Sequence, residues 1–205
     1  MIRLFRTALL IGFAVVLVMQ SAASAATVGI NIVSTPSPGA FSPMTADLHP
    51  GDTAKWTNTT FNVHTTTGDA PLSFWDSGDL LHNQTFSKVF LAAGHYTYHC
   101  TVHPTMTGVV HVGPVVTPSS GTTSTTFLIM WASGSIPSGY EEDLILKRPN
   151  STRFAAWMVG QSGTEISHTF VPDAGTGKYV FAARIRQLVS GSPASDWAAV
   201  AVQVS

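Results

Sequence analysis

Short runs of alternating apolar and polar residues, separated by glycine and proline turns, are the feature that most limits the folds open to this chain. The turns recur at the roughly 8- to 12-residue spacing typical of antiparallel β-proteins, and no helical periodicity persists beyond two turns. Charged residues make up only 10% of the 205 residues, and the AVILMFWYC set makes up 44%. This composition excludes a disordered chain, a coiled coil and a nucleic-acid binder, which all need more charge. We predict an all-β protein.

The strand pattern divides into two segments. We predict one β-sandwich over residues 27–113 and a second over residues 125–205, in tandem. Residues 114–124 contain proline, glycine, valine and hydroxyl residues without charge, which is the composition of a linker. The predicted strands are 27–34, 46–48, 53–58, 73–75, 86–91, 95–100 and 108–112 in the first segment, and 126–131, 143–148, 154–159, 165–170, 179–188 and 198–204 in the second.

Residues 1–26 have the three parts of an export signal. These parts are a basic start (Arg3, Arg6), an apolar run (Ala8–Met19) and a signal-peptidase site (Ala23-Ser24-Ala25). The apolar run is shorter than the about 20 residues of helix that cross a bilayer. An uncleaved membrane anchor is the alternative. We expect cleavage, and therefore a secreted, periplasmic or cell-surface protein without a membrane span.

The chain has a single cysteine, although exported proteins generally use cysteines in disulfides. Cys100 begins the sequence Cys-Thr-Val-His-Pro-Thr-Met, which also contains His103 and Met106 and lies between two predicted strands. His64 follows another strand and a loop, so it can reach the same end of the sandwich. One thiolate, two imidazoles and a weak thioether are the ligands of a blue-copper electron-transfer centre.

Each of these residues also has an ordinary structural interpretation. His64 could be an exposed loop histidine, Met106 a core methionine and Cys100 a small buried hydrophobe. Their joint spacing favours a metal site. Zinc could use the same ligands, but the Irving–Williams order and the thioether favour copper.

Several motifs are spread over nearly the whole first segment: Pro50-Gly51-Asp52-Thr53, Trp56-Thr57-Asn58, His64-Thr65, Tyr96-Thr97-Tyr98-His99-Cys100, His103-Pro104-Thr105-Met106 and Gly108-Val109-Val110. With these motifs the segment resembles a cupredoxin of the plastocyanin, pseudoazurin and amicyanin group. The resemblance implies one type 1 copper per chain, bound by His64, Cys100, His103 and Met106. Thr65 stands where these relatives often carry asparagine.

The same resemblance implies a docking surface for a redox protein. The second histidine ligand of the family, here His103, has its ring edge at the surface among apolar side chains. Candidates for this apolar surface are Phe41, Pro43, Met44 and Pro104.

The remaining histidines do not predict a second copper. His99 is adjacent to Cys100 and therefore points to the other face of its strand. Multicopper oxidases and copper nitrite reductases bind another copper through a histidine next to the cysteine, but oxidases carry histidines on both sides of it, and Thr101 breaks that pattern. The others are scattered singly and predicted to be surface or turn residues: His49, His82, His95, His111 and His168. We therefore do not expect an enzyme.

The second segment carries motifs of a different sandwich: Phe127-Leu128-Ile129-Met130-Trp131, Tyr179-Val180-Phe181-Ala182-Ala183-Arg184 and Ser195-Asp196-Trp197. With these it resembles a fibronectin type III domain, in which the first motif is the tryptophan-bearing strand and the second the tyrosine-corner strand. An immunoglobulin-like sandwich of another family is the alternative. The resemblance implies a spacer or a module that binds a protein or glycan.

Three functions follow for the whole chain. The leading hypothesis is an exported blue-copper protein that carries single electrons between redox partners. The alternative is a copper sequestration or delivery protein that uses the same ligands without redox cycling. A copper enzyme subunit of the nitrite-reductase or oxidase type is the least favoured.

Overall fold

The computed structural model describes residues 25–189 and 195–205, and the prediction of an all-β fold is confirmed. These residues form strands, turns and loops and contain no helix, hence none long and apolar enough to cross a membrane. The predicted signal segment lies outside the described residues apart from Ala25 and Ala26.

The first domain is a sandwich of two four-stranded sheets, ordered β2-β1-β4-β6 and β3-β8-β7-β5. Alternating side chains on these strands point inward, as Ala54, Trp56 and Asn58 do on β4, and so build a core between the sheets. The strands are β1 (Thr27–Val33), β2 (Ala40–Ser42), β3 (Thr45–Leu48), β4 (Thr53–Asn58), β5 (Thr67–Gly68), β6 (Thr85–Val89), β7 (Gly94–His99) and β8 (Thr107–Val112).

The second domain is a sandwich of a three-stranded and a five-stranded sheet, ordered β14-β11-β9 and β10-β16-β15-β12-β13. Its strands are β9 (Val115–Thr117), β10 (Ser120–Gly121), β11 (Phe127–Met130), β12 (Tyr140–Lys147), β13 (Ala155–Gln161), β14 (Ser167–Phe170), β15 (Gly177–Gln187) and β16 (Ala198–Val204). Tyr179 on β15 accepts a hydrogen bond from the Ala174 amide at 2.8 Å and donates one to the Gly175 carbonyl at 3.0 Å. A tyrosine bonded to backbone a few residues upstream is a tyrosine-corner arrangement.

The segment predicted as a linker, residues 114–124, differs from that expectation. Strand β9 pairs with β11 and strand β10 pairs with β16, so the segment supplies two strands to the second sandwich. Val116 is buried among the apolar side chains of this domain. Proline, serine and threonine give the segment a linker-like composition. Its valines, however, lie on β9, which pairs with a strand that is more distant in the sequence.

The two domains share backbone hydrogen bonds and a continuous apolar core. The Ala93 amide donates to the Trp131 carbonyl at 2.7 Å, and the Ser133 amide donates to the Leu91 carbonyl at 2.8 Å. Trp131 and Ile185 of the second domain belong to the same buried cluster as the aromatic core of the first. The second domain therefore packs on the first near the start of β7.

Ala26 is bonded into the first domain. Its amide donates to Asp52 Oδ1 at 2.7 Å, and its carbonyl accepts from the Thr53 amide at 2.8 Å. Ala26, the last residue of the predicted signal segment, is therefore hydrogen-bonded to the folded domain directly before β1.

Candidate metal centre

Cys100 enters the core by the alternation of its strand. Strand β7 ends at His99, and its inward positions Tyr96 and Tyr98 are followed by Cys100, which is fully buried. The chain then turns back through a short loop, in which the Met106 amide donates to the His103 carbonyl at 2.8 Å and the Cys100 amide donates to the Met106 carbonyl at 3.0 Å. This loop holds the cysteine, the histidine and the methionine at one end of the sandwich.

His64 reaches the same end from a different segment of the chain. Its backbone forms an antiparallel bridge with Leu80, with hydrogen bonds of 2.7 and 3.3 Å. The buried Asn58 side chain braces this segment, since its amide donates to the Asn62 carbonyl at 2.8 Å and to the Leu80 carbonyl at 2.7 Å. The imidazole of His64 is thus held in place within the core.

The structure brings three of the predicted ligands together. The ligand atoms of His64, Cys100 and His103 all lie within 4.8 Å of one another. Cys100 Sγ is 3.8 Å from His64 Nδ1 and 3.7 Å from His103 Nδ1. A sulfur at about 2.3 Å and a nitrogen at about 2.0–2.1 Å from one metal ion are separated by about 3.75 Å when the angle between the bonds is about 120°. The donor set therefore fits a trigonal metal site with one thiolate and two imidazoles.

Met106 and Gly39 lie next to this group. Met106 is buried, and its Sδ is 3.4 Å from the position that a Cβ on Gly39 would occupy. The same position is 3.0 Å from His64 Cε1. The Met106 thioether and the His64 ring therefore both approach the backbone at Gly39. Gly39, which no motif in the sequence marks as a site residue, allows the backbone to approach both side chains.

Thr65 connects the two ligand segments. Its amide donates to Cys100 Sγ at 3.3 Å, and its hydroxyl accepts from the Thr101 amide at 2.8 Å. A hydrogen bond to a ligand atom helps to orient that ligand in a metal site.

Burial sets the protonation state of His64. The ring is fully buried, and desolvation together with the nearby His103 lowers the pKa of His64 from its ordinary value. The neutral imidazole is the form that binds a metal. His103 is half-buried, whereas the other three predicted ligands are buried.

The predicted apolar surface is only partly as expected. Met44 is 64% exposed, and Pro43 and Pro104 are exposed as well. Phe41, in contrast, is buried with its ring centroid 4.6 Å from that of Tyr98, so it packs in the core and is not a surface residue. Val102 next to His103 is 47% exposed, although the sequence analysis did not select it.

His99 points away from the three ligands, as its position next to Cys100 predicts. Its Nδ1 lies 2.6 Å from Asp69 Oδ1 on the outer face of the sheet. The carboxylate holds the half-exposed ring there.

No protein-family model matches the chain. Similar solved structures include a purple cupredoxin from Nitrosopumilus maritimus, with 27% identity over 42% of this chain and 98% of that chain and a TM-score of 0.39. A reduced Cu(I) form of an amicyanin variant has 27% identity over 45% of this chain and 86% of that chain, with a TM-score of 0.38. A copper-containing nitrite reductase from Thermus scotoductus has 21% identity over 42% of this chain and 22% of that chain, with a TM-score of 0.37.

These neighbours include named cupredoxins, and the chain contains the His-Cys-His cluster that the sequence resemblance predicts.

Proposed function

We propose that this protein is an exported electron carrier that binds one type 1 copper at His64, Cys100, His103 and Met106. The observation that carries the proposal is the position of both imidazole Nδ1 atoms, 3.8 and 3.7 Å from the buried sulfur of Cys100. One thiolate, two imidazoles and a thioether match copper better than any other common metal.

The chemistry that bound copper supplies is one-electron cycling between Cu(II) and Cu(I). The protein's part is to keep the ligands fixed in both oxidation states. Hydrogen bonds from Asn58 hold the segment before His64, and Thr65 ties that segment to the cysteine loop. A site that moves little when the electron arrives has a small reorganisation barrier.

The burial of the ligands favours electron transfer over substrate chemistry. Cys100 and His64 are fully buried and Met106 is 2% exposed, so water has little access to the site from their side. Four protein ligands leave no open position for a substrate, in contrast to catalytic metal sites, which keep one. We therefore propose a carrier rather than an enzyme.

Electrons enter and leave through His103, which is the half-buried ligand. Val102 and Met44 are exposed apolar side chains on the loops of this end, suited to a transient redox partner that docks on a small dry contact. The second domain packs near Gly94 at the other end of β7 and serves as a spacer or as a module for a protein or glycan ligand.

The experiment is metal loading of the purified, copper-free protein. We expect one copper per chain, an intense visible charge-transfer band from the thiolate and a reversible one-electron couple in voltammetry. The Cys100→Ala variant should remain folded and lose the band. A colourless protein, or one that prefers Zn²⁺ when both ions compete, would contradict the proposal.

The same preparation distinguishes carrier from storage or delivery. A carrier should retain its copper through repeated reduction and oxidation in the presence of a chelator. A storage or delivery protein should instead lose copper readily to the chelator and show no reversible couple.

A further inference from the structure

The outer face of the sheet that contains β3, β8 and β7 carries a row of side chains able to bind metal. Asp47 on β3 is paired with His111 on β8, and His111 is paired with His95 on β7. His95 in turn forms an antiparallel bridge with Asp196 of the second domain. Directly paired residues project to the same face, with Cβ atoms about 4.5–5.5 Å apart. The register thus places two imidazoles between two carboxylates.

The two imidazoles are close enough to share one ion. The ring centroids of His95 and His111 are 5.9 Å apart, with an angle of 65° between the ring planes. Two imidazoles bonded to one Zn²⁺ at about 2.0–2.1 Å have centroids no more than about 6.4 Å apart. The observed separation lies within this limit. Among the described residues, the only group of three or more such ligand atoms within 4.8 Å of one another is that of His64, Cys100 and His103, so the side chains of this row must rotate towards one another to bind one ion.

Asp47 orients one of the rings. His111 Nδ1 lies 3.0 Å from Asp47 Oδ1, and because an ionised carboxylate only accepts, this nitrogen carries the proton. In the neutral ring, Nε2 of His111 then carries the lone pair that can bind a metal. A histidine that donates its other ring N–H to a carboxylate is the usual arrangement of a metal-binding histidine, since the carboxylate fixes the tautomer and ring orientation.

The row is distinct from the copper ligands. His95 is near the start of β7, five residues before Cys100, which corresponds to about 16 Å along an extended chain. His95 and His111 are half-buried and Asp196 is exposed. The Asp47 side chain is 83% exposed, so cations in solution can reach the row.

We propose that His95 and His111 form a second metal site, for a divalent cation such as Zn²⁺ or Cu²⁺, at the contact between the two domains. Asp47 positions His111, and Asp196 supplies a carboxylate ligand from the second domain. Imidazole and carboxylate donors without sulfur suit these two cations. Because Asp196 and His95 belong to different domains, a bound ion also strengthens the contact between the domains.

The test is a calorimetric titration of Zn²⁺ into the full chain, in two forms that remove competition from the first site. One form is the copper-loaded protein, and the other is the copper-free Cys100→Ser variant. We expect one equivalent of Zn²⁺ to bind in both. The two forms make the outcome independent of whether the first site carries electrons.

Variants identify the ligands. His95→Gln and His111→Gln should each abolish stoichiometric binding, and Asp47→Asn should weaken it about 10- to 100-fold. Asp196→Asn should weaken binding and reduce the rise in Tm that Zn²⁺ causes by binding the folded state. His168→Gln, an exposed histidine of the second domain, is the matched control and should bind Zn²⁺ as the parent does.

Two results would overturn the proposal: no binding in either form, or binding that survives in His95→Gln and His111→Gln. Zn²⁺-induced shifts of the His95 and His111 ring signals in the unmodified protein, followed by NMR, provide a second readout. This readout does not depend on the stability of any variant at these two positions.

Discussion

The Thr65 hydroxyl accepts a hydrogen bond from the Thr101 amide at 2.8 Å, which joins the residue after the first ligand to the residue after the cysteine. The two hydroxyls are also 3.0 Å apart. The cupredoxins that the sequence resembles often carry asparagine at the position of Thr65. In this chain the shorter threonine makes the connection between the two ligand segments.

Replacing Thr65 by valine removes this connection while preserving the shape of the side chain. We expect Thr65→Val to lower the free energy of unfolding of the metal-free protein by about 1 kcal/mol, the typical net contribution of one hydrogen bond. The visible band and the redox potential of the copper-loaded form should also shift, because the lost hydroxyl bond holds in place the segment whose amide donates to the sulfur. Urea unfolding and voltammetry measure the two effects.

The control for this change is Thr97→Val, at an exposed position of β7. It alters the same residue type on the strand that leads to the cysteine. If Thr65→Val and Thr97→Val had the same stability and the same potential, the hydrogen bond would have no role at the metal centre.

The His103 ring closes the site on its exposed side, so removing it should open the site to small molecules. We expect His103→Gly to lose the visible band and to regain it when imidazole is added, because the free ring can occupy the space left by the side chain. Absorption spectroscopy during an imidazole titration measures this. His82→Gly, at an exposed loop histidine, should be insensitive to imidazole.

One outcome would show that His103 is neither a copper ligand nor the residue through which electrons enter and leave. A His103→Gly protein that kept both its blue band and its electron-transfer rate without added imidazole would contradict it.

Position 39 requires glycine for two reasons: neighbouring atoms lie too close for a side chain, and the backbone has a φ that other residues rarely adopt. It has a φ of 146°, and a Cβ there would lie 3.0 Å from His64 Cε1 and 3.2 Å from the Val33 carbonyl oxygen. We expect Gly39→Ala to reduce stability by about 1–3 kcal/mol and to alter the visible spectrum. Gly78→Ala is the matched control, since Gly78 has a φ of 60° but nothing within 4 Å of the added methyl. Its spectrum should not change.

The strands and the ligands could be predicted from the sequence because both are local patterns. Strand β16 has the predicted bounds, Ala198–Val204, and β4 has the predicted bounds, Thr53–Asn58. Period-two alternation decides which face is buried, and the short Cys-x₂-His-x₂-Met spacing limits three of the ligands to one loop.

Features that depend on pairing between distant residues could not be predicted. Gly39 contacts His64 across a proline-rich segment that looks irregular in the sequence. Val116 looks like part of a linker until β9 pairs with β11. The row of His111, His95 and Asp196 exists only because of the register between strands of two domains.

Glu142 makes stability depend on pH. The residue is fully buried on β12, and neither carboxylate oxygen has a hydrogen-bond partner. Desolvation, with the nearby Asp143 charge, raises the pKa of Glu142 well above its ordinary value, so the folded protein keeps this carboxyl protonated. Above the unfolded pKa the unfolded chain binds fewer protons than the folded one, so this group makes stability fall as pH rises, by up to about 1.4 kcal/mol per pH unit.

The fall continues until the pH reaches the pKa of Glu142 in the folded protein. Glu142→Gln, which cannot ionise, should flatten the stability profile and be more stable than the parent at neutral pH. Urea unfolding between acidic and neutral pH measures this difference. Glu165→Gln, at an exposed carboxylate, is the control and should keep the slope of the parent. A Glu142→Gln profile parallel to that of the parent would contradict a neutral, buried Glu142.

The hydrogen bond between Ala26 and Asp52 predicts where an exported form begins. The Ala26 amide nitrogen is 2.7 Å from Asp52 Oδ1, and the Asp52 side chain is 11% exposed. Cleavage after Ala23-Ser24-Ala25 would turn this nitrogen into an ammonium group against the carboxylate, and a hydrogen bond to a charged group contributes about 1.5–3 kcal/mol. Because the small-residue motif ends at Ala25, we expect Ala26 as the first residue, and the intact mass of the exported protein measures this.

The stability of two recombinant forms tests whether the charged amino group of Ala26 stabilises the fold through Asp52. A form that starts at Ala26 should unfold at higher urea concentration than one with an acetylated Ala26, and Asp52→Asn should remove the difference. An exported protein that starts at Thr27 would lack the nitrogen that meets Asp52. That result would show that the bond does not determine the processed end.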